Sequence, residues 1–532
     1  MNAERKRLDA QRKGTENWRL WGPYLAERAW GTVREDYSPD GAVWEYFGHD
    51  QARSRTYRWN EDGLGGICDE KQRLCFALSL WNGCDPILKE RAFGLTGNQG
   101  NHGEDVKEYY FYLNATPSHS YLHYLYKYPQ REYPYALLVD ENRRRTRQDP
   151  TFNLMDTGVF ANDRYWDVHV VYAKGDPKGI WIRITAHNRG PEVATLHILP
   201  TLWFRNTWAW GEKVPKPRLF AGEPTTGAAW SVWAEHPDLG IYHLHGSQPS
   251  QLLFTENESN SERLWGVPNP GPFVKDAFHR HVVNSEETAV NPRKVGTKCA
   301  AWYKFDVDSR SSANIDLVLR FHDPKEHYKG VVFTSPRDVF KDFDEVLRSR
   351  QSEADEFYDE ILPGALEEDT AIFRQSLSGL IWSKQFYHYD VARWLDGDTI
   401  PPPEKRRWGR NHWWRHLKAA DVILMPDTWE YPWFAAWDLA FHSVAMALID
   451  VDFAKEQIEI LLAENYIHPN GQIPACEWAF EEANPPLHAW AALECFRTEA
   501  AQRGDGDLEF LGRVFMPEAS MTETQCAHAP IP

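Results

Sequence analysis

Asp438 stands in the stretch TWEYPWFAAWDLAFHSVAMAL, residues 428–448, with Trp429, Trp433 and Trp437 just before it. A carboxyl group walled by indole rings loses hydration, and desolvation disfavours the charged form and raises the pKa. A general acid working near neutral pH needs that shift. Cleavage of a glycosidic bond uses such an acid to protonate the leaving oxygen. It also uses a second carboxylate, as nucleophile or as the base that activates water. A plainer reading stands beside this one. Pro432 suits a first helical turn, and Ala435, Ala436, Leu439 and Ala440 are good helix formers. An Asp near a helix start is favoured by the macrodipole by about 0.3–1 kcal/mol. Asp438 and His442 are four apart on one helical face, where a hydrogen bond between them is plausible. Two such ligands do not make a metal site.

The elements that must position these residues change character along the chain. Up to about residue 325 the pattern is that of strands. Ile180, Ile182 and Ile184 alternate with Trp181, Arg183 and Thr185, and Ile315, Leu317, Leu319 and Phe321 alternate with Asp316, Val318 and Arg320. Period-two alternation marks half-buried strands, and many strands without intervening helices point to an antiparallel β-sandwich. Residues 338–362 have roughly helical spacing and end at Pro363-Gly364, which reads as a helical linker. From 367 onward the chain reads as helix-rich. Helices are expected at about 369–387, 434–449, 452–466 (capped by Asp450 or Asp452) and 486–501. Long loops rich in Pro, Trp and Asn separate them, and such loops are where function tends to lie.

Composition narrows the function classes. The 532 residues imply two or three domains. A net charge of −18 argues against nucleic-acid and anionic-membrane surfaces. The 25 Trp, 23 Tyr and 26 Phe serve cores, interfaces and sugar clefts alike. Seven cysteines with no CxxC read as free thiols in a reducing compartment. MNAERKRLDAQRK has no apolar core, so no signal peptide is expected, and no apolar run is long enough to span a membrane. A cytoplasmic location is the expectation. GLTGNQGNHGED, residues 94–105, lacks the Lys-Ser/Thr ending of a phosphate loop and reads as a surface loop.

WDLAFH at 437–442 resembles the W-D-x-x-F-H segment of glycoside hydrolase family 63, the family of processing α-glucosidase I and of bacterial relatives that include mannosylglycerate-hydrolase-like enzymes. GLIWSKQFYHYDVARWL (379–395), HPNGQIPACEWAF (468–480), NPPLHAWAA (484–492) and RLWGPYLAERAWGTVREDYSPDGAVWEYF (19–47) resemble the bacterial branch of the same family. The resemblance covers about residues 15–515. It implies an N-terminal β-sandwich and a C-terminal (α/α)6 barrel, inverting hydrolysis of an α-glycosidic bond, an oligosaccharide or small glycoside as substrate, and no metal or cofactor. It places the general acid on Asp438 and the walls of the sugar subsite on Trp433 and Trp437. It puts Gln472, Glu477 and Trp478 in a loop that lines the pocket, with Asn484 a further candidate.

The expected layout is a β-sandwich over 1–325, a helical linker over 326–366, the first half of the barrel over 367–515, and an unrelated or disordered tail over 516–532. The family's base is a late Glu, and the motifs carry that role onto no residue of this chain. Glu477, Glu481 and Glu482 are weak substitutes. The expectation is therefore a C-terminally truncated glycosidase whose turnover is in doubt. A non-catalytic carbohydrate-binding protein with the same aromatic cleft is the alternative, and a polysaccharide lyase is a third reading that the acidic balance disfavours. Sugar identity, linkage and oligomeric state are not readable.

Overall fold

Strands dominate the N-terminal part because its apolar residues recur every second position and turn residues interrupt them. A computed structural model describes residues 1–28, 47–101, 105–211, 213–322, 338–397, 404–408, 412–426, 435–473, 475, 485 and 487–515. The chain divides into two units, Met1–Ala29 with Phe47–Gly379, and Trp30–Tyr46 with Leu380–Pro532.

The first unit contains two antiparallel sheets. Its strands are β1 (Trp21–Gly22), β2 (Leu64–Asp69), β3 (Leu74–Trp81), β4 (Tyr109–Ala115), β5 (Tyr121–Pro129), β6 (Tyr165–Asp176), β7 (Gly179–Asn188) and β8 (Ala194–Phe204). They continue as β9 (Arg218–Gly222), β10 (Trp230–His236), β11 (Gly240–Gly246), β12 (Gln251–Thr255), β13 (Val295–Gly296), β14 (Lys298–Val307) and β15 (Ser312–His322). A six-stranded sheet runs in the order β1-β2-β3-β8-β14-β12, and a nine-stranded sheet in the order β13-β9-β10-β11-β15-β7-β6-β5-β4. On β7 and β15 the isoleucines and leucines pair in register, Ile180 with Leu319, Ile182 with Leu317 and Ile184 with Ile315, and all are buried.

The two sheets share a core. The Trp21 indole N–H donates to Tyr242 Oη at 3.0 Å, and Tyr172 Oη donates to the Gly65 carbonyl at 2.6 Å. Gly65 is required at its place: its φ is +55°, and a Cβ there would sit 2.6 Å from the Tyr124 ring. The register of β2 against β3 shifts at this point, which marks a bulge.

Helices cover what the sheets leave open. The helix α1 spans Ala3–Arg12 and α2 spans Phe343–Ile361. Phe343 and Leu347 of α2 pack on Ala173, Trp181 and Val318, so the second face of β7 and β15 is buried there as well. Alternation alone does not show this, because a covered outer face keeps some apolar residues among its polar ones. Buried ion pairs also tie the first unit together. Lys89 Nζ donates to Glu108 Oε1 at 2.7 Å with both side chains fully buried, and Arg91 Nε donates to Asp62 Oδ1 at 3.0 Å.

A helix, α3, spans Glu367–Trp382 and runs across the boundary of the units. The second unit then holds a two-stranded antiparallel sheet, β16 (Lys384–Asp390) with β17 (Lys418–Leu424). This corrects the expected helix over 369–387, whose last residues form β16. The helices α4 (Val391–Asp396), α5 (Ala436–Ala447), α6 (Val451–Ile460), α7 (Leu487–Arg503) and α8 (Leu508–Phe515) follow. Asp450 caps α6, its carboxylate accepting the Phe453 N–H at 3.1 Å. Ala440, Ser443 and Ala447 of α5 and Ala491, Ala492 and Cys495 of α7 are buried, and these small residues line the packing of the two helices. Lys455 of α6 fixes α7 and the start of α8, donating to Glu499 at 2.9 Å and to Asp507 at 2.9 Å.

Candidate functional site

The chain enters α5 through Ala435, whose backbone is extended and whose side chain cannot cap the helix. The Ala436 N–H, one of the unpaired amides of that first turn, donates instead to the Ala475 carbonyl at 3.0 Å. The end of the 468–475 loop is thereby fixed at the start of α5. Asp438 is the third helical residue and lies in the first turn. Its carboxyl group is half-buried, and its pKa is raised: desolvation is the larger cause, and a hydrogen bond from its own backbone N–H opposes it.

The helical repeat puts Leu439, Ala440, Ser443, Met446 and Ala447 into the core and leaves a stripe outside. Trp437 and Phe441 stand on that stripe, 42% and 45% exposed, edge to face with their ring centroids 6.3 Å apart. Trp490 of α7, 40% exposed, continues the row, 5.6 Å from Phe441 at an interplanar angle of 63°. Three large rings held side by side at the surface of two packed helices form an exposed apolar patch of the kind that marks a binding surface.

Two histidines stand on the same two helices. His442 and His488 are largely buried, and burial pushes both imidazoles down to about 4, so both are neutral at pH 7. Among the described residues, His442 Nδ1 and His488 Nε2 have no hydrogen-bond partner. No hydrogen bond joins Asp438 to His442, although the two are one helical turn apart. Buried orphan nitrogens are costly unless something pairs with them.

Of the residues singled out in the sequence, Asp438 and Trp437 fall at this site. Gln472 is half-buried in the turn of the 468–475 loop: its carbonyl accepts the His468 N–H at 2.8 Å and its N–H donates to Asn470 Oδ1 at 2.9 Å. That loop leads to Ala475, beside the start of α5. Trp429, Pro432, Trp433, Glu477, Trp478, Glu481, Glu482, Asn484 and the tail over 516–532 lie outside the described residues. Phe441, His488 and Trp490 were not singled out as site residues. The signal for Phe441 is its place in WDLAFH, and that for His488 and Trp490 is NPPLHAWAA, a His and a Trp at the start of a helix. Among the described residues, no group of three His, Cys, Asp or Glu is arranged to hold a metal ion. No helix there is long and apolar enough to cross a membrane.

No family model matches the chain. The uncharacterized protein YMR196W of Saccharomyces cerevisiae is 42% identical over 553 residues, a match that covers 96% of this chain and 50% of that protein. The chain thus spans about half the length of this curated relative. Among solved structures, a protein from the human microbiome named as a kojibiose phosphorylase matches 90% of this chain and 56% of its own at 9% identity and a TM-score of 0.26. A family GH92 α-mannosidase of Bacteroides thetaiotaomicron matches 66% of this chain and 50% of its own, at 13% identity and a TM-score of 0.23. A family GH92 inverting mannosidase of the same organism matches 94% of this chain and 57% of its own, at 10% identity and a TM-score of 0.22.

Proposed function

We propose that the protein is a glycoside hydrolase of the α-glucosidase type that cleaves an α-glycosidic bond with inversion, with Asp438 as the general acid. The observation that carries this reading is the carboxyl group of Asp438: it is half-buried beside exposed aromatic rings, and burial raises its pKa. Burial favours the protonated form of this carboxyl group, and that is the form a general acid must be in to give its proton to the leaving oxygen. Trp437 presents an indole surface to the C–H side of a pyranose next to the acid. The W-D-x-x-F-H resemblance supports the same assignment, with a β-sandwich for the first unit and part of an (α/α)6 barrel for the second. Trp433, Gln472, Glu477, Trp478 and Asn484 complete the proposed subsite. The base role carries over onto no residue of this chain.

The test has two parts. Glucose release from α-linked gluco-oligosaccharides, with the β-anomer seen first by NMR, supports inverting hydrolysis. Retention of the α-anomer, or a rate unchanged in Asp438→Asn, counts against it.

The row Trp437–Phe441–Trp490 favours a second reading, a carbohydrate-binding protein without turnover. Calorimetric binding of a gluco-oligosaccharide that is lost in Trp437→Ala, kept in Asp438→Asn and unaccompanied by hydrolysis would select it.

A further inference from the structure

The outer face of the six-stranded sheet ends in a groove that the site on α5 and α7 does not use. Trp81 of β3, His197 of β8 and Lys304 of β14 stand side by side across three neighbouring strands. The Trp81 and His197 rings are 4.8 Å apart, and His197 stacks on Trp302 at 5.6 Å and 22°. The Trp302 indole can only donate, and its N–H meets His197 Nδ1 at 2.9 Å. Nδ1 is therefore the acceptor, and the ring hydrogen is on Nε2. Burial is the main cause that pushes this imidazole down to about 4, so it stays a neutral donor at pH 7. The Trp81 N–H is taken by the Asp85 carbonyl at 2.7 Å, which fixes the indole in place.

The groove above these rings has a volume of about 590 Å³ and is also lined by Arg131, Arg164 and Glu192. Arg164 is bidentate to Glu192 at 2.8 and 2.9 Å. Arg131 and Lys304 have no ion-pair partner among the described residues. Arg131, Arg164 and Lys304 stand against Glu192 and against Asp306, which Thr195 holds beside His197, so the groove is net positive on a chain of net charge −18, and that favours an anionic ligand. A bare phosphate or sulfate makes no use of an indole platform, and a neutral sugar makes no use of two unpaired cations. A pyranose that carries an acidic group uses both.

We propose that this groove is a non-catalytic binding site for an acidic sugar, with the pyranose on Trp81, a hydroxyl accepting from His197 Nε2–H, and the carboxylate or sulfate group held by Arg131 and Lys304. Isothermal titration of the full chain at low ionic strength tests it, with tetragalacturonate, maltotetraose and sodium sulfate as probes. Tetragalacturonate binds at least about tenfold more tightly than either of the others, and Trp81→Ala weakens it by about tenfold. Arg131→Glu with Lys304→Glu, both exposed and outside the core, abolishes that binding, and Asp438→Asn leaves it unchanged. No binding of tetragalacturonate overturns the proposal. So does sulfate binding as tightly as tetragalacturonate, or tetragalacturonate binding that survives the double charge reversal.

Discussion

Asp438 sits between two opposing influences. The first turn of a helix favours its negative charge, and loss of water disfavours it; burial is the larger, and the pKa is raised. The helix-start role contributes only about 0.3–1 kcal/mol. Asp438→Asn is therefore expected to shift the urea midpoint by an amount corresponding to no more than about 1 kcal/mol, whatever it does to activity. His442 and His488 give a second prediction. Both are held near 4 in the folded chain against an ordinary value of 6.5. Between these values the unfolded chain binds more protons, so stability is fully present above about 6.5 and is lost as pH falls toward 4. Each ring accounts for roughly 1–3 kcal/mol of that loss. The raised pKa of Asp438 acts in the opposite sense and is smaller, since its carboxyl is partly hydrated. The thermal midpoint of the protein is expected to fall between pH 7 and pH 4.5, and His442→Gln with His488→Gln to flatten that fall. Asp438 was legible in the sequence because a helical run and a cluster of tryptophans surround it. The orphan nitrogens of His442 and His488 were not, because burial and hydrogen-bond partners depend on packing that residue order does not display.

β7 and β15 and the helices α5, α6 and α7 follow from local periodicity, whereas β2, β3 and β8 are buried on both faces and show no alternation. SKQFYHYD continues the apolar spacing of α3, yet Lys384–Asp390 form a strand because Lys418–Leu424 offer a partner edge. Nothing in either segment names the other. The helix α2 shows an apolar face in sequence, but only its packing shows that Trp181 and Val318 lie beneath it. Two elements make quantitative predictions. Gly65→Ala forces a side chain into left-handed backbone and against the Tyr124 ring, and is expected to cost about 2–4 kcal/mol by chemical denaturation. Lys89→Met strips the fully buried Glu108 of its cation while Tyr126 still donates to it at 2.6 Å. The expected loss is about 3–5 kcal/mol, read from the same denaturation curves.

At the scale of the whole molecule, two units are present, one built on two sheets and one rich in helices. We propose sugar chemistry in both: an acid and an aromatic row in the second unit, and a cationic groove in the first. The proposed role of Asp438 is delivery of a proton to the leaving oxygen, and a comparison of leaving groups tests that most directly. Wild type and Asp438→Asn are assayed side by side on an α-linked glucose disaccharide and on 2,4-dinitrophenyl α-glucoside, whose phenolate departs without a proton. If Asp438 is the acid, the variant loses about 10²–10⁴-fold on the disaccharide and far less on the aryl glucoside. Equal losses on both substrates, an unchanged disaccharide rate in the variant, or no hydrolysis of either substrate by the wild type would contradict it.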